Sequence, residues 1–269
     1  MNISLRPYQR AAFDEWRQYY PTHKSGLIIA PTCTGKTVLF SAIAEHYYNS
    51  SNRPILILAN RDELLNQAGR TIKEVTGLAC GREQAGESLA GSLLLPPIVL
   101  GSIQSVSQPQ RLERFDPATF GLLITDECHH SAATGYKSVY AHFNHDFHLG
   151  VTATPDRLDG KALGAIFEDV IFEYEIREAI EQGYLVQFLS KSIEVLSIDF
   201  DRVSTARGGD FNEDELEDEL LRPENLIGIA KPTVEESENR PTIVFGVKIN
   251  HASALAEAIN DLKPGSAFA

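Results

Sequence analysis

Thiols are scarce in this chain. Three cysteines, Cys33, Cys80 and Cys128, stand far apart and form no C-x-x-C pair. An odd, scattered set excludes a disulfide scaffold and a zinc site, and points to a reducing cytoplasm. Long apolar runs are missing as well. Nothing approaches the roughly 18–20 residues that span a bilayer, so no membrane partner is expected. The opening Met1-Asn2-Ile3-Ser4-Leu5-Arg6-Pro7 has no apolar signal core. Positive charge is in short supply, with 24 Lys and Arg against 37 Asp and Glu and a net charge of −13. Read as a whole, that balance argues against a nucleic-acid partner. The deficit is uneven, however. Residues 1–190 carry −5 and residues 191–269 carry −8, with seven acidic residues among the twelve from Gly208 to Glu219. The global figure therefore says little about any one face of the N-terminal part. The acidic stretch itself reads as a solvated helix face or a flexible connector. Nothing in the pattern sets an oligomeric state.

What is present is an ordinary globular composition, 43% hydrophobic and 23% charged. Short apolar runs at Leu27–Ala30, Pro54–Ala59, Pro97–Leu100, Gly121–Ile124 and Phe147–Val151 alternate with amphipathic stretches such as Lys36–Tyr48 and Asp62–Val75. Continuous apolar runs separated by helices predict strands buried on both faces, hence a doubly wound α/β domain with a parallel sheet over 1–190. Ser190–Phe200 alternates like an edge strand, and 191–239 reads as a connector. Pro241–Val247 then predicts a new buried strand, followed by a helix from Asn250 to Leu262, as if a second α/β domain opened at about residue 240.

Two local patterns carry chemistry. Ala30-Pro31-Thr32-Cys33-Thr34-Gly35-Lys36-Thr37 follows a buried strand and opens a helix, the context of a phosphate-binding loop. Backbone N–H groups from Thr34 to Thr37 can surround phosphate oxygens at the helix start, Lys36 can neutralise the β/γ-phosphates of ATP, and the Thr37 hydroxyl can reach Mg²⁺. Thr32 and Cys33 complete the loop, and Ala30 stands where the pattern has its first glycine. Some 90 positions on, Leu122-Leu123-Ile124-Thr125-Asp126-Glu127-Cys128-His129 ends a buried strand in two carboxylates. At the C-terminal edge of a parallel sheet they would lie beside the loop. There Asp126 would hold the metal and Glu127 would deprotonate the attacking water. The plainer alternative is a capping pair that starts a helix.

Together with Gly150-Val151-Thr152-Ala153-Thr154-Pro155, these patterns resemble superfamily 2 helicases and translocases, in the DExH form Asp126-Glu127-Cys128-His129. The resemblance implies a RecA-like first domain, an adenine contact from Gln9 in Leu5-Arg6-Pro7-Tyr8-Gln9, and coupling of the nucleotide site to the strand-binding face through His129, Thr152 and Thr154. It also implies nucleic-acid contacts from Arg61 in Ala59–Leu64 and from Gly101, Ser102 and Gln104 in Gly101–Ser105. A surface ion pair for Arg61 and an ordinary helix start at Gly101–Gln104 stay open beside those roles. Thr242-Ile243-Val244-Phe245 with His251 and Leu255 resembles the opening of the second RecA-like domain. The overall pattern is most similar to bacterial and organellar helicases related to restriction-enzyme motor subunits, with DNA favoured over RNA. The family's last two motifs, including its arginine finger, have no counterpart up to Ala269, which implies weak turnover by this chain alone. A nucleotide-binding interaction module and an ATPase acting on another target remain the rival readings.

Overall fold

The computed structural model describes residues 4–60, 62–92, 94–131, 133–154, 163–205 and 209–269. The chain divides into two compact units, Met1–Gln187 and Phe188–Ala269.

The first unit is built on seven strands: β1 (Ser25–Ile29), β2 (Ile55–Ala59), β3 (Cys80–Glu83), β4 (Ile98–Ser102), β5 (Leu122–Asp126), β6 (Phe147–Thr152) and β7 (Val170–Glu173). They form one sheet in the order β3-β4-β2-β5-β6-β1-β7, and every pairing is parallel. Each central strand is apolar throughout because each is covered twice. Ile55, Ile57 and Ala59 of β2 face a core shared with Trp16, Phe40, Ile43, Leu65 and Ile72. Leu56 and Leu58 face the opposite core, with Val106, Phe115, Phe120, Val139 and Phe143. Period-2 side-chain alternation thus sends successive residues into separate cores. Helices α1 (Pro7–Tyr19), α2 (Lys36–Ser51) and α3 (Asp62–Thr76) supply the first cover. The short α4 (Ile103–Val106) and α5 (Pro109–Leu112), with α6 (Thr134–His142), supply the second. The helix α7 (Ile176–Glu181) follows β7. Tyr47 is buried, and Tyr19, Tyr20 and Tyr48 pack against the same core, so these tyrosines form no stacking platform.

Strand order decides where chemistry can occur. β6 lies between β1 and β5, so the C-terminal ends of β1, β6 and β5 are adjacent on one edge of the sheet. Two strands were invisible in the sequence. β3 (Cys-Gly-Arg-Glu) and β7, with Val170 and Glu173 exposed, are sheet-edge strands whose patterns lack a continuous apolar run.

The second unit departs further from expectation. It contains α8 (Glu213–Leu220), α9 (Pro223–Ser237) and α10 (Ile249–Leu262), the last two packed about Ala230, Leu255 and Ile259. Neither Ser190–Phe200 nor Pro241–Val247 is a strand. Ile243 is 82% and Phe245 90% exposed. Among the described residues no strand runs beside either segment, and a lone strand leaves its N–H and C=O groups without a ladder. The acidic stretch is not simply solvated. Glu217 and Glu219 of α8 are buried. Glu219 accepts from Asp199 N–H and Asn225 Nδ2, both at 3.1 Å, and pairs with Arg222 at 3.1 Å, which is how a carboxylate tolerates burial.

Candidate nucleotide and catalytic site

The loop after β1 turns through two left-handed residues, Cys33 (φ 67°) and Gly35 (φ 76°). Gly35 is required twice over. Its backbone is left-handed, and a Cβ there would stand 2.7 Å from Gln9 Nε2. Gly35 caps α2 without a side-chain bond, and no acidic residue occupies the helix's first turn. The orphan N–H groups and the positive end of the helix dipole are left to a phosphate. The loop is braced internally by Thr34 Oγ1 donating to the Pro31 carbonyl at 2.6 Å.

Gln9 straps this loop from α1. Its Oε1 accepts from Arg6 N–H at 3.0 Å, and its Nε2 donates to the carbonyls of Thr34 (3.0 Å) and Gly35 (3.2 Å). Tyr8 donates to the same Thr34 carbonyl at 2.5 Å and stacks on Tyr174 with centroids 4.3 Å apart. The Arg6 guanidinium lies 5.2 Å over the Tyr184 ring. Tyr8 had no role in the sequence reading, although it sits beside Gln9 in the same motif. Its partners Tyr174 and Tyr184 lie too far along the chain for any local pattern to reveal.

On the opposite side of the edge, β5 ends at Asp126, level with Val151 of β6. Glu127 is left-handed (φ 50°, ψ 49°) and begins a short 3-10 turn, Cys128–His130. The Asp-Glu pair therefore caps a single turn and not the long helix of the plainer reading. Lys36 Nζ comes within 3.8 Å of Glu127 Oε1. His129 Nδ1 lies 3.4 Å from Glu127 Oε2 and 3.1 Å from Thr152 Oγ1. Thr152 Oγ1 in turn accepts from Thr154 N–H at 3.2 Å. Lysine, glutamate, histidine and threonine from three strand ends thus meet in one chain of contacts.

Asp126 sits deepest. Burial, and then the neighbouring Glu127 charge, push its carboxyl up to about 6, against the pull of Lys36 and the Glu127 N–H. Cys128 is buried among Leu27, Ile29, Leu163 and Phe167, and burial pushes its thiol up. It serves packing and not chemistry. Gly150 allows this, because a Cβ there would overlap the Phe167 ring and approach Cys128 Sγ to 3.0 Å.

The residues expected to meet a nucleic acid are less sharply defined. Arg61 lies outside the described residues, as does Arg157. Gly101 is buried within β4, where a Cβ would stand 2.7 Å from Val106. Ser102 donates to Gln104 Oε1 at 2.9 Å, and Gln104 Nε2 donates to the carbonyl and side chain of Asn60 at 2.9 and 2.7 Å. These groups bind one another across the ends of β2 and β4. Among the described residues no cluster of three or more His, Cys, Asp or Glu could hold a metal, and no helix is long and apolar enough to cross a membrane.

Residues 2–157 match the family model described as type III restriction enzyme, res subunit. Among curated proteins, the chain is 26% identical over 274 residues to the putative mitochondrial ATP-dependent helicase irc3 of Schizosaccharomyces pombe, covering 97% of this chain and 44% of that protein. It is 28% identical over 277 residues to the putative ATP-dependent helicase IRC3 of Saccharomyces cerevisiae, covering 96% and 39%. The chain thus spans less than half the length of these relatives. Among solved structures, the ATP-dependent type ISP restriction-modification enzyme LlaBIII bound to DNA superposes with a TM-score of 0.63 at 15% identity, over 97% of this chain and 21% of that one. Such similarities identify the sheet as the RecA-like fold of helicase domains.

Proposed function

Since the chain belongs to the type III restriction enzyme res-subunit family, among the superfamily 2 helicases and translocases, we propose that it is the ATP-hydrolysing part of a motor that moves on nucleic acid. DNA is favoured over RNA, because the restriction motor it resembles was solved bound to DNA. The observation that carries the reading is the convergence of Lys36, Glu127, His129 and Thr152 at the C-terminal ends of β1, β5 and β6.

Each residue then has a task. The uncapped start of α2 and Lys36 hold the β- and γ-phosphates. Gln9 and Tyr8 fix the loop's carbonyls, and Gln9 stands at the rim where adenine would lie. The Asp126 carboxylate and the Thr37 hydroxyl are hard oxygen donors of the kind magnesium takes. Asp126, held near 6 by burial, is a group whose ionised form a cation would relieve. Magnesium, when bound, neutralises phosphate oxygens as the γ-phosphoryl group leaves. Glu127, kept beside Lys36 and His129, orients the attacking water and takes its proton. His129, Thr152 and Thr154 link that carboxylate to the end of β6. Residues Arg61, Gly101, Ser102 and Gln104 form the nucleic-acid face. Residues 1–190 are the first motor domain, 191–239 a connector and 240–269 the start of a second domain. The three free thiols fit a reducing compartment such as the cytoplasm.

The test is nucleotide binding and hydrolysis by the purified chain and two variants. Lys36→Ala lowers ATP affinity by about 10- to 100-fold, the loss of a charge-assisted contact. Glu127→Gln keeps affinity and lowers hydrolysis by about 10²–10⁴-fold. DNA raises the wild-type rate more than RNA does. Unchanged ATP affinity in Lys36→Ala ends the assignment of the loop.

A further inference from the structure

Behind the Asp126–His129 segment lies a buried line of hydroxyls and one imidazole that takes no part in holding nucleotide. Ser131 Oγ is 2.9 Å from Tyr140 OH, Tyr140 OH is 3.0 Å from Thr125 Oγ1, and Thr125 Oγ1 is 3.0 Å from His148 Nε2. Ser131, Thr125 and His148 are all buried. Burial pushes His148 well below its ordinary value, so the imidazole is neutral and can end the line as donor or acceptor. The three bonds can run in one direction from either end, and each hydroxyl then both donates and accepts.

The placement of this line along the chain is what matters. Thr125 immediately precedes Asp126, and Ser131 immediately follows the turn Cys128–His130. Tyr140 projects from α6 and bonds both. It therefore grips the two shoulders of the segment in which Glu127 holds a left-handed backbone. An L-residue is strained there unless its surroundings over-determine it. From the other side, Cys128 is anchored in its apolar pocket. Between grip and anchor, the direction of the Glu127 carboxylate toward Lys36 and His129 is fixed.

We propose that Tyr140, through Thr125 and Ser131, is a positioning residue for the hydrolytic step, one that sets the angle of Glu127 without touching nucleotide. This rests on the reading of Glu127 given above. Its signature is a loss confined to turnover, because the phosphate loop shares no bond with the line.

The experiment compares ATP binding, steady-state hydrolysis and thermal unfolding of the full chain with Tyr140→Phe, Ser131→Ala and the double variant. Tyr140→Phe keeps the ring that packs 4.2 Å from His148 and removes only the hydroxyl. The expected result is a kcat about tenfold lower in Tyr140→Phe, with the KM for ATP and the nucleotide affinity unchanged. Ser131→Ala slows kcat in the same sense, and the double variant is no slower than Tyr140→Phe, since both changes break one grip. The inference is overturned if either single variant turns over within about twofold of wild type, if affinity falls in step with kcat, or if the two losses add. Failure of the underlying reading looks different, because the wild-type chain itself would then hydrolyse no more ATP than Lys36→Ala.

Discussion

Replacing Asp126 by asparagine should make the ligand-free protein more stable while abolishing its hydrolysis. The carboxyl is lifted from 3.8 to about 6, chiefly by burial and then by the Glu127 charge. A lift of about 2 units means that ionised Asp126 disfavours the folded state by about 3 kcal/mol at neutral pH. The direction follows from linkage. A carboxyl raised in the fold takes up a proton more readily there than in the unfolded chain. The penalty is therefore complete above pH 6 and disappears as pH falls toward 3.8. The substituted amide carries no charge at any pH, so the Asp126→Asn variant gains most at about pH 8, about half as much at about pH 5, and almost nothing near about pH 3.5. For a unit of this size the gain at about pH 8 corresponds to a rise in Tm of up to about 10 °C. The chain's single tryptophan, Trp16, is fully buried in the same unit, so its emission reports the relevant transition. The measurement is thermal unfolding in chelator at those three pH values. A variant less stable than wild type at the highest pH, or a difference independent of pH, would refute the assignment of Asp126 as an electrostatically costly carboxylate.

Packing and polar contacts set three further outcomes. Gln9→Glu turns a carboxylate toward the carbonyls of Thr34 and Gly35, removing two hydrogen bonds and facing oxygen with oxygen, so ATP affinity in a fluorescent-nucleotide titration falls by about tenfold or more. Gly150→Ala forces a methyl group into the Phe167 ring and lowers stability by about 1–3 kcal/mol in a urea titration, at a position carrying no catalytic group. Glu83 is fully buried, paired with Arg111 at 2.7 Å and accepting from Leu89 and Ala90 N–H, so Glu83→Ala destabilises by about 3–5 kcal/mol by the same measurement.

The sequence was most informative where one residue's environment is set by its immediate neighbours. The five central strands were legible because double coverage writes itself as unbroken apolar runs. The phosphate loop and the Asp126-Glu127 pair were legible because a strand, a tight turn and a helix must follow in that order. The edge strands β3 and β7 were not, since partial exposure leaves no such run. Pro241–Val247 misled for the converse reason. It has the composition of a buried strand, and composition does not supply the neighbour that would pair with it. Glu217 and Glu219 misled because acidic residues are usually solvated, and only the fold brings Arg222 and Asn225 to one of them. The grip of Tyr140 was hidden for a similar reason. Its hydroxyl meets residues nine and fifteen positions away, and no periodicity links them.

The three thiols differ sharply in access. Cys80 is half-buried with its thiol raised by burial, Cys128 is enclosed, and Cys33 is exposed at the tip of the phosphate loop. A bulky maleimide added to the native protein has one preferred target, and that target lies where the triphosphate would bind. Bound nucleotide should shield it, so the rate of alkylation becomes a direct gauge of occupancy, with no engineered cysteine needed.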